Sequence, residues 1–178
     1  MKTAFLLISL SLLPLFGWGQ FDLKNAVIIG QFDKPEDRYA IEVNVTEIFN
    51  QVGIKTLPLQ NIIKQGGSAL VLIDDSVQSA LKLKGFDTYL VINVRGYDRT
   101  FKPSLSIDDF EEALNMTSIY KLYRDESTSV SFEFMFFRNN AVVYRDILKC
   151  VNISDRESTI KRFKKKLPKR IKKKWKIY

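Results

Sequence analysis

The chain reads as α/β (α+β): a mixed sheet of about five to six strands, with an N-terminal βαβαβ part, a C-terminal antiparallel meander and a final helix. Three observations point there. Up to residue 98, short apolar runs ended by Gly or Pro alternate with segments whose apolar residues recur at helical spacing. From 118 to 150, apolar and polar residues alternate with period two. From 154, a helix start is followed by apolar residues three and four apart. With 46% hydrophobic, 12% aromatic and 27% charged residues and only 8 Gly and 5 Pro in 178 residues, the chain can bury a core and is neither fibrous nor disordered.

Taken in order, Lys24 to Gly30 is a short apolar run ended by Gly, a buried strand. Asp33 as cap, Pro35 in the first turn and Glu36 and Asp37 beside the positive helix end open a helix that runs through Tyr39, Val43, Ile48 and Phe49 to Gly53. Ile54 to Leu57, closed by Pro58, is a second strand, far enough along for a crossover parallel to the first. Leu59 to Lys64 gives a helical turn or two, and Ala69 to Ile73 fits strand or helix equally. Asp74 and Asp75 cap a helix that ends at Gly85, and Thr88 to Val94 is the strongest strand, expected beside the first. Beyond an acidic helix start at Ser106 to Glu112, three alternating runs follow: Ser118 to Arg124, Ser129 to Arg138 and Ala141 to Cys150. Asn139 and Asn140 form a tight hairpin between the last two, because Asn tolerates positive φ. Ser154 and Glu157 read as a capping box for the last helix.

Residues 1–19 read as a signal peptide: Lys2, an apolar run from Ala4 to Phe16, and the small residues Gly17 and Gly19 before cleavage at Gln20. No Cys near that site allows lipid attachment, and no later stretch is apolar enough to span a bilayer. The expected organisation is therefore 1–19 signal peptide, 20–160 single α/β domain and 161–178 basic amphipathic helix or tail, with a periplasmic or secreted destination outside the cytoplasm. Charge divides at the same place. Residues 20–160 carry a net charge of −4 and residues 161–176 a net charge of +11, so the basicity belongs to one appendage.

Absent chemistry is as informative. There is no His, which removes imidazole bases and His metal sites, and the single Cys150 excludes an internal disulfide and Cys-rich metal sites. Cys150 ends an alternating run and reads as a buried, inert thiol. Asp108, Asp109, Glu111 and Glu112 lack the spacing of a calcium loop, and Gly66-Gly67 lacks the Lys-Ser/Thr of a phosphate loop. No catalytic residue, metal site or cofactor is assigned. Phe132, Phe134, Phe136 and Phe137 read as sheet core.

AVIIGQF (26–32), IEVNVTEIFNQVGIKTLP (41–58) and LKLKGFDTYLVINVRGYD (81–98) give an amphipathic helix, Gly and a short strand, then a second helix ending in Gly before an apolar strand. This order resembles the amino-terminal domain of TolB and related small periplasmic proteins. The resemblance implies an assembly or envelope-interaction module rather than an enzyme, and no functional residue is carried over from it.

Two sets of residues stand out. Ile160, Phe163, Leu167, Ile171, Trp175 and Tyr178 step by three and four along one helix stripe among the tail's cations. Pro168 is expected to break or kink that helix, docking its first half and freeing the second. Lys169, Arg170, Lys172, Lys173, Lys174, Trp175 and Lys176 are then the anionic-surface set, with Trp175 able to insert. Arg95, Tyr97, Asp98 and Arg99 end the strongest strand, where open α/β sheets place ligands, and are the small-ligand candidates. The expected function is an exported, non-enzymatic envelope interaction module whose cationic C-terminus meets an anionic surface or protein partner. The alternative is a small-molecule or lipid-binding periplasmic protein with its site at Arg95 to Arg99. Export argues against nucleic acid as the partner, and the sequence does not specify an oligomeric state.

Overall fold

The computed structural model describes residues 21–64, 67–98, 100–101, 107–116 and 121–175. The signal-peptide reading, Arg99 and Lys176 lie outside them. The strands are β1 (Asn25–Gly30), β2 (Lys55–Pro58), β3 (Tyr89–Tyr97), β4 (Thr100–Phe101), β5 (Ser129–Arg138) and β6 (Ala141–Val151). The helices are α1 (Pro35–Gln51), α2 (Asp75–Leu83), α3 (Phe110–Asn115) and α4 (Arg156–Lys174), with short 3-10 turns at Leu59–Asn61 and Ala69–Ile73.

They form one mixed six-stranded sheet in the order β2-β1-β3-β5-β6, with β4 paired to β3. β1 lies parallel to β2 and β3, while β3, β5 and β6 pair antiparallel. The fold class expected from the sequence is therefore the one observed. Asn139 and Asn140 close the β5–β6 hairpin at φ 49° and 62°, the left-handed values that a two-residue turn between twisted strands demands.

Both faces of the sheet are covered, which explains why β1, β3 and β5 are buried at successive positions, the alternating β5 included. On one face Ile28, Leu90, Ile92, Phe132, Phe134, Phe136 and Cys150 meet Ile41, Val45 and Phe49 of α1 and Phe163, Leu167 and Ile171 of α4. On the other, Val27, Ile29, Val91, Met135 and Phe137 meet Leu81 of α2, Phe110 and Ala113 of α3 and the 3-10 residues Leu59 and Leu72. Cys150 is fully buried, and burial pushes its thiol up to about 11.

Four local expectations are corrected. The cap position of α1 falls on Lys34, without a side-chain cap, although Pro35, Glu36 and Asp37 hold the expected first turn. The box that opens α4 is Asp155 with Ser158, one residue later than Ser154 with Glu157. The Asp155 carboxylate accepts from the Ser158 amide at 2.6 Å, and the Ser158 hydroxyl accepts from the Asp155 amide at 3.1 Å. Residues 121–124 are not strand: Leu122 plugs the core while its amide donates to Asp37 Oδ2 at 3.3 Å. Residues 118–120 of that expected run lie outside the described residues.

The fourth correction concerns Pro168. It sits inside α4 without ending it, and the boundary expected at residue 160 falls within the helix. Proline removes one intrahelical donor, but the turns on either side are pinned by the buried side chains Phe163, Leu167 and Ile171. Tertiary packing supplies most helical stability in proteins and here outweighs the local rule.

Candidate functional site

The C-terminal half of α4 is held by a buried carboxylate. Asp146 of β6 projects under the helix, and its Oδ2 accepts from Arg170 Nε at 2.6 Å and from the Trp175 indole N–H at 2.8 Å. Its Oδ1 accepts from the Ile147 amide at 2.9 Å and from the second Arg170 nitrogen. Trp175 is 0% exposed and packs edge-on against Phe134 and Phe136, with ring centroids 5.0 Å away in each case. A buried acid with its acceptors filled by a forked guanidinium and an indole anchors the last turn. Trp175 and Arg170, expected in the anionic-surface set, are thus committed inward.

The other cations of α4 divide by direction. Arg156 donates to Asp37 Oδ1 at 2.5 Å, and Lys164 pairs with Glu47 of α1 at 3.4 Å. On the opposite flank, Arg162 and Lys166 donate to backbone carbonyls at or near the end of β6. Lys161, Lys165, Lys169, Lys172, Lys173 and Lys174 are exposed and make no ion pair among the described residues. The first five recur at spacings of four, four, three and one, away from the Phe163, Leu167 and Ile171 stripe, and form an outward row about 18 Å long at 1.5 Å per residue. Sequence reasoning placed Lys169, Lys172, Lys173 and Lys174 in such a set but missed Lys161 and Lys165, because the surface was cut at Pro168. Their helical spacing from Lys169 was the available signal.

The residues at the end of β3 are not brought into one site. Arg95 points to the face opposite α4 and pairs with Glu133 at 3.5 Å, both largely buried. Tyr97 turns to the α4 side, where its hydroxyl donates to the Lys121 carbonyl. Asp98, at φ 50°, holds the start of β5: its Oδ1 accepts from the Thr128 amide at 3.0 Å, the Thr128 hydroxyl at 2.9 Å and the Ser129 amide at 2.9 Å. Those bonds, led by that from the Thr128 hydroxyl, hold the carboxyl below its ordinary range.

A groove of about 920 Å³ opens instead at the carboxyl end of β1, between α1 and the segment after β2. At its floor Glu42 is 1% exposed and accepts from the Gly30 amide at 3.0 Å and, more weakly, from the Gln60 amide at 3.5 Å. Burial outweighs these bonds and pushes its carboxyl up to about 7. Gly30 permits this approach, since a Cβ there would lie 3.3 Å from Arg38 Cγ and 3.4 Å from Glu42 Cγ. Arg38, Tyr39, Val43, Ile63 and Lys64 line the walls. The sequence shows Glu42 only as one polar residue on a helix, with no mark of its burial. Among the described residues no group of three His, Cys, Asp or Glu side chains is placed to hold a metal, and no helix is long and apolar enough to cross a membrane.

No protein-family model and no curated protein matches the chain. Among solved structures it is similar to the lipoprotein GNA1162 from Neisseria meningitidis, at 13% identity and TM-score 0.44 over 85% of this chain and 98% of that one. It is also similar to a PelC dodecamer from Paraburkholderia phytofirmans, at 12% identity and TM-score 0.40 over 84% and 88%. A third, protein XCC0632 from Xanthomonas campestris, of the DUF330 family model, gives 10% identity and TM-score 0.36 over 88% and 83%. No residue role is carried over from any of them.

Proposed function

We propose that the chain is an exported, non-enzymatic envelope module that meets an anionic surface through the outward lysine row of a docked α4. The observation that carries this reading is the partition of the helix: its inward and flanking cations are engaged, while Lys161, Lys165, Lys169, Lys172 and Lys173 stand exposed on one stripe without ion pairs among the described residues. A solvated face kept only for solubility needs no such continuity. At about 1 kcal/mol for each Lys near an anionic membrane, five residues supply roughly 5 kcal/mol. That corresponds to a weak, salt-sensitive attachment with a dissociation constant of order 0.1 mM. The TolB-like element order is in keeping with such a role.

The test is co-sedimentation of the full chain with phosphatidylglycerol-containing and pure phosphatidylcholine vesicles. Binding to the anionic vesicles that falls as NaCl rises, and is lost when Lys165, Lys169, Lys172 and Lys173 become Gln, supports the reading. Equal binding to both vesicle types, or none to either, overturns it.

A second reading, a small-molecule or lipid binder, is favoured by the groove beside Glu42, where the exposed cations Arg38 and Lys64 adjoin exposed Tyr39 and Val43. For this reading the groove replaces the end of β3, where Arg95, Tyr97 and Asp98 are each engaged elsewhere. Tryptophan-independent calorimetry with oleate tests it, an Arg38→Ala variant serving as the comparison.

A further inference from the structure

The charge on Glu42 exceeds what its structural task requires. Its Oε1 accepts from the Gly30 amide at 3.0 Å, a bond that the side-chain oxygen of a Gln would accept as well without burying an ionisable group. Its Oε2 has only the Gln60 amide, at 3.5 Å, the outer limit of a hydrogen bond. A carboxylate has room for about four hydrogen bonds, so this acid, 1% exposed at the floor of a groove, is left short of donors. Burial without a close countercharge is what pushes its carboxyl up to about 7.

The groove lies where two parallel strands end, β1 at Gly30 and β2 at Pro58, and the carboxyl ends of strands are where α/β sheets commonly receive ligands. Its polar groups are graded by depth. The acid is at the floor, whereas Arg38 on α1 and Lys64 after β2 are exposed cations on the two walls. Arg156, the third cation of the lining, is turned away to Asp37 Oδ1 and the Glu36 carbonyl. Tyr39 and Val43, one turn apart on α1, and Ile63 opposite them give the walls an apolar strip.

We infer that the groove takes a zwitterion, a primary ammonium within a few bonds of an anion, whose ammonium donates to Glu42 Oε2 and whose anion is held by Arg38 and Lys64. The inference rests on the small-molecule reading of the groove and adds the ligand's chemistry to it. An ammonium supplies both the donors that Oε2 lacks and the countercharge that a buried carboxylate needs; a plain anion would bring a second negative charge to the floor. An α-amino acid with an apolar side chain is a small molecule with every feature the groove offers to match, its side chain lying on Tyr39, Val43 and Ile63. The head of an aminophospholipid carries the same two charges.

The experiment is a chemical-shift titration of the full chain at pH 8, read at the Gly30 and Gln60 amides. It compares leucine with 4-methylpentanoate, which lacks the ammonium, with isopentylamine, which lacks the carboxylate, and with O-phosphoethanolamine, which lacks the apolar part. Leucine is expected to bind about tenfold more tightly than either single-charge analogue. Glu42→Gln, which keeps the bond to Gly30, should bring leucine down to the level of 4-methylpentanoate. Arg38→Gln/Lys64→Gln changes only exposed residues, should bring leucine to the level of isopentylamine, and carries the test if Glu42→Gln does not fold. O-phosphoethanolamine binding more tightly than leucine, and losing that binding in the same variants, supports the two poles with a lipid head as their source. Leucine and 4-methylpentanoate binding equally, or leucine binding that Glu42→Gln leaves unchanged, overturns the inference while the small-molecule reading stands. No shift with any of the four, nor with oleate, overturns both.

Discussion

Ending the chain at Leu167 removes the part of α4 that the sequence alone treats as a dispensable tail, and the structure makes the opposite prediction. The truncation deletes Ile171 and Trp175, both fully buried, whose loss costs about 2–5 and about 3–5 kcal/mol respectively as cavity-forming changes. It also strips Asp146 of Arg170 and Trp175, leaving only the Ile147 amide as partner to a side chain 7% exposed. An uncompensated buried charge costs about 3–5 kcal/mol more. These terms share one site and do not add fully, yet the low end of the two cavity terms alone is about 5 kcal/mol. That equals the total stability of many domains. In urea titrations followed by far-ultraviolet circular dichroism, the truncated chain is expected to lose its cooperative transition or to shift its midpoint far below that of the full chain. Trp175→Phe, which keeps a ring and loses the bond to Asp146, should fall between them. A truncated chain with the midpoint of the full one would refute the reasoning, because α4 would then not be anchored beyond Pro168.

Three further outcomes are expected. Glu42 has a folded value of about 7 against an ordinary 4.5, so the folded state holds its proton longer than the unfolded chain; its contribution is complete below pH 4.5 and is lost as pH rises to 7. Glu42→Gln should flatten that decline, worth up to about 3 kcal/mol, and an unchanged pH–stability profile would show that Glu42 is not buried as described. Gly30→Ala brings a Cβ against Arg38 and Glu42 and should destabilise by about 1–3 kcal/mol through displacement of α1, read as a lowered melting temperature. Cys150 should resist iodoacetamide at pH 8 in the folded chain and react fully in 6 M guanidinium, since burial keeps its thiol protonated; equal rates in the two conditions would place it at the surface.

The parts of the fold legible in the sequence are those that local rules and tertiary packing both favour. Alternation in β5 and β6, Asn139-Asn140 between them and Asp74 before α2 each speak for themselves over a few residues. The 160, 163, 167, 171, 175 stripe was equally plain, but a proline rule applied within it divided one helix into a docked and a free half. What decides otherwise is Asp146, 24 residues before Arg170 and 29 before Trp175, and no local pattern announces that a carboxylate on an alternating strand will receive an arginine and an indole. Glu42 was hidden for a similar reason. Its burial depends on the missing Cβ of Gly30 and on the Gln60 amide, which only the crossing of α1 over β1 brings together. At the end of β3, the cluster of Arg95, Tyr97 and Asp98 in sequence dissolves in space because a register shift between Val94 and Gly96 leaves Arg95 and Tyr97 on opposite sides of the sheet.

The most direct measurement follows Trp175 fluorescence during titration of the full chain with phosphatidylglycerol vesicles, with Trp18 replaced by Phe so that Trp175 is the only tryptophan. Binding through the outward lysine row leaves α4 docked, and a residue already 0% exposed should keep its emission maximum while the chain moves into the vesicle fraction. Absence of binding would contradict the account, and so would binding accompanied by a shift of Trp175 emission, which would mean that the helix leaves the sheet to reach the surface.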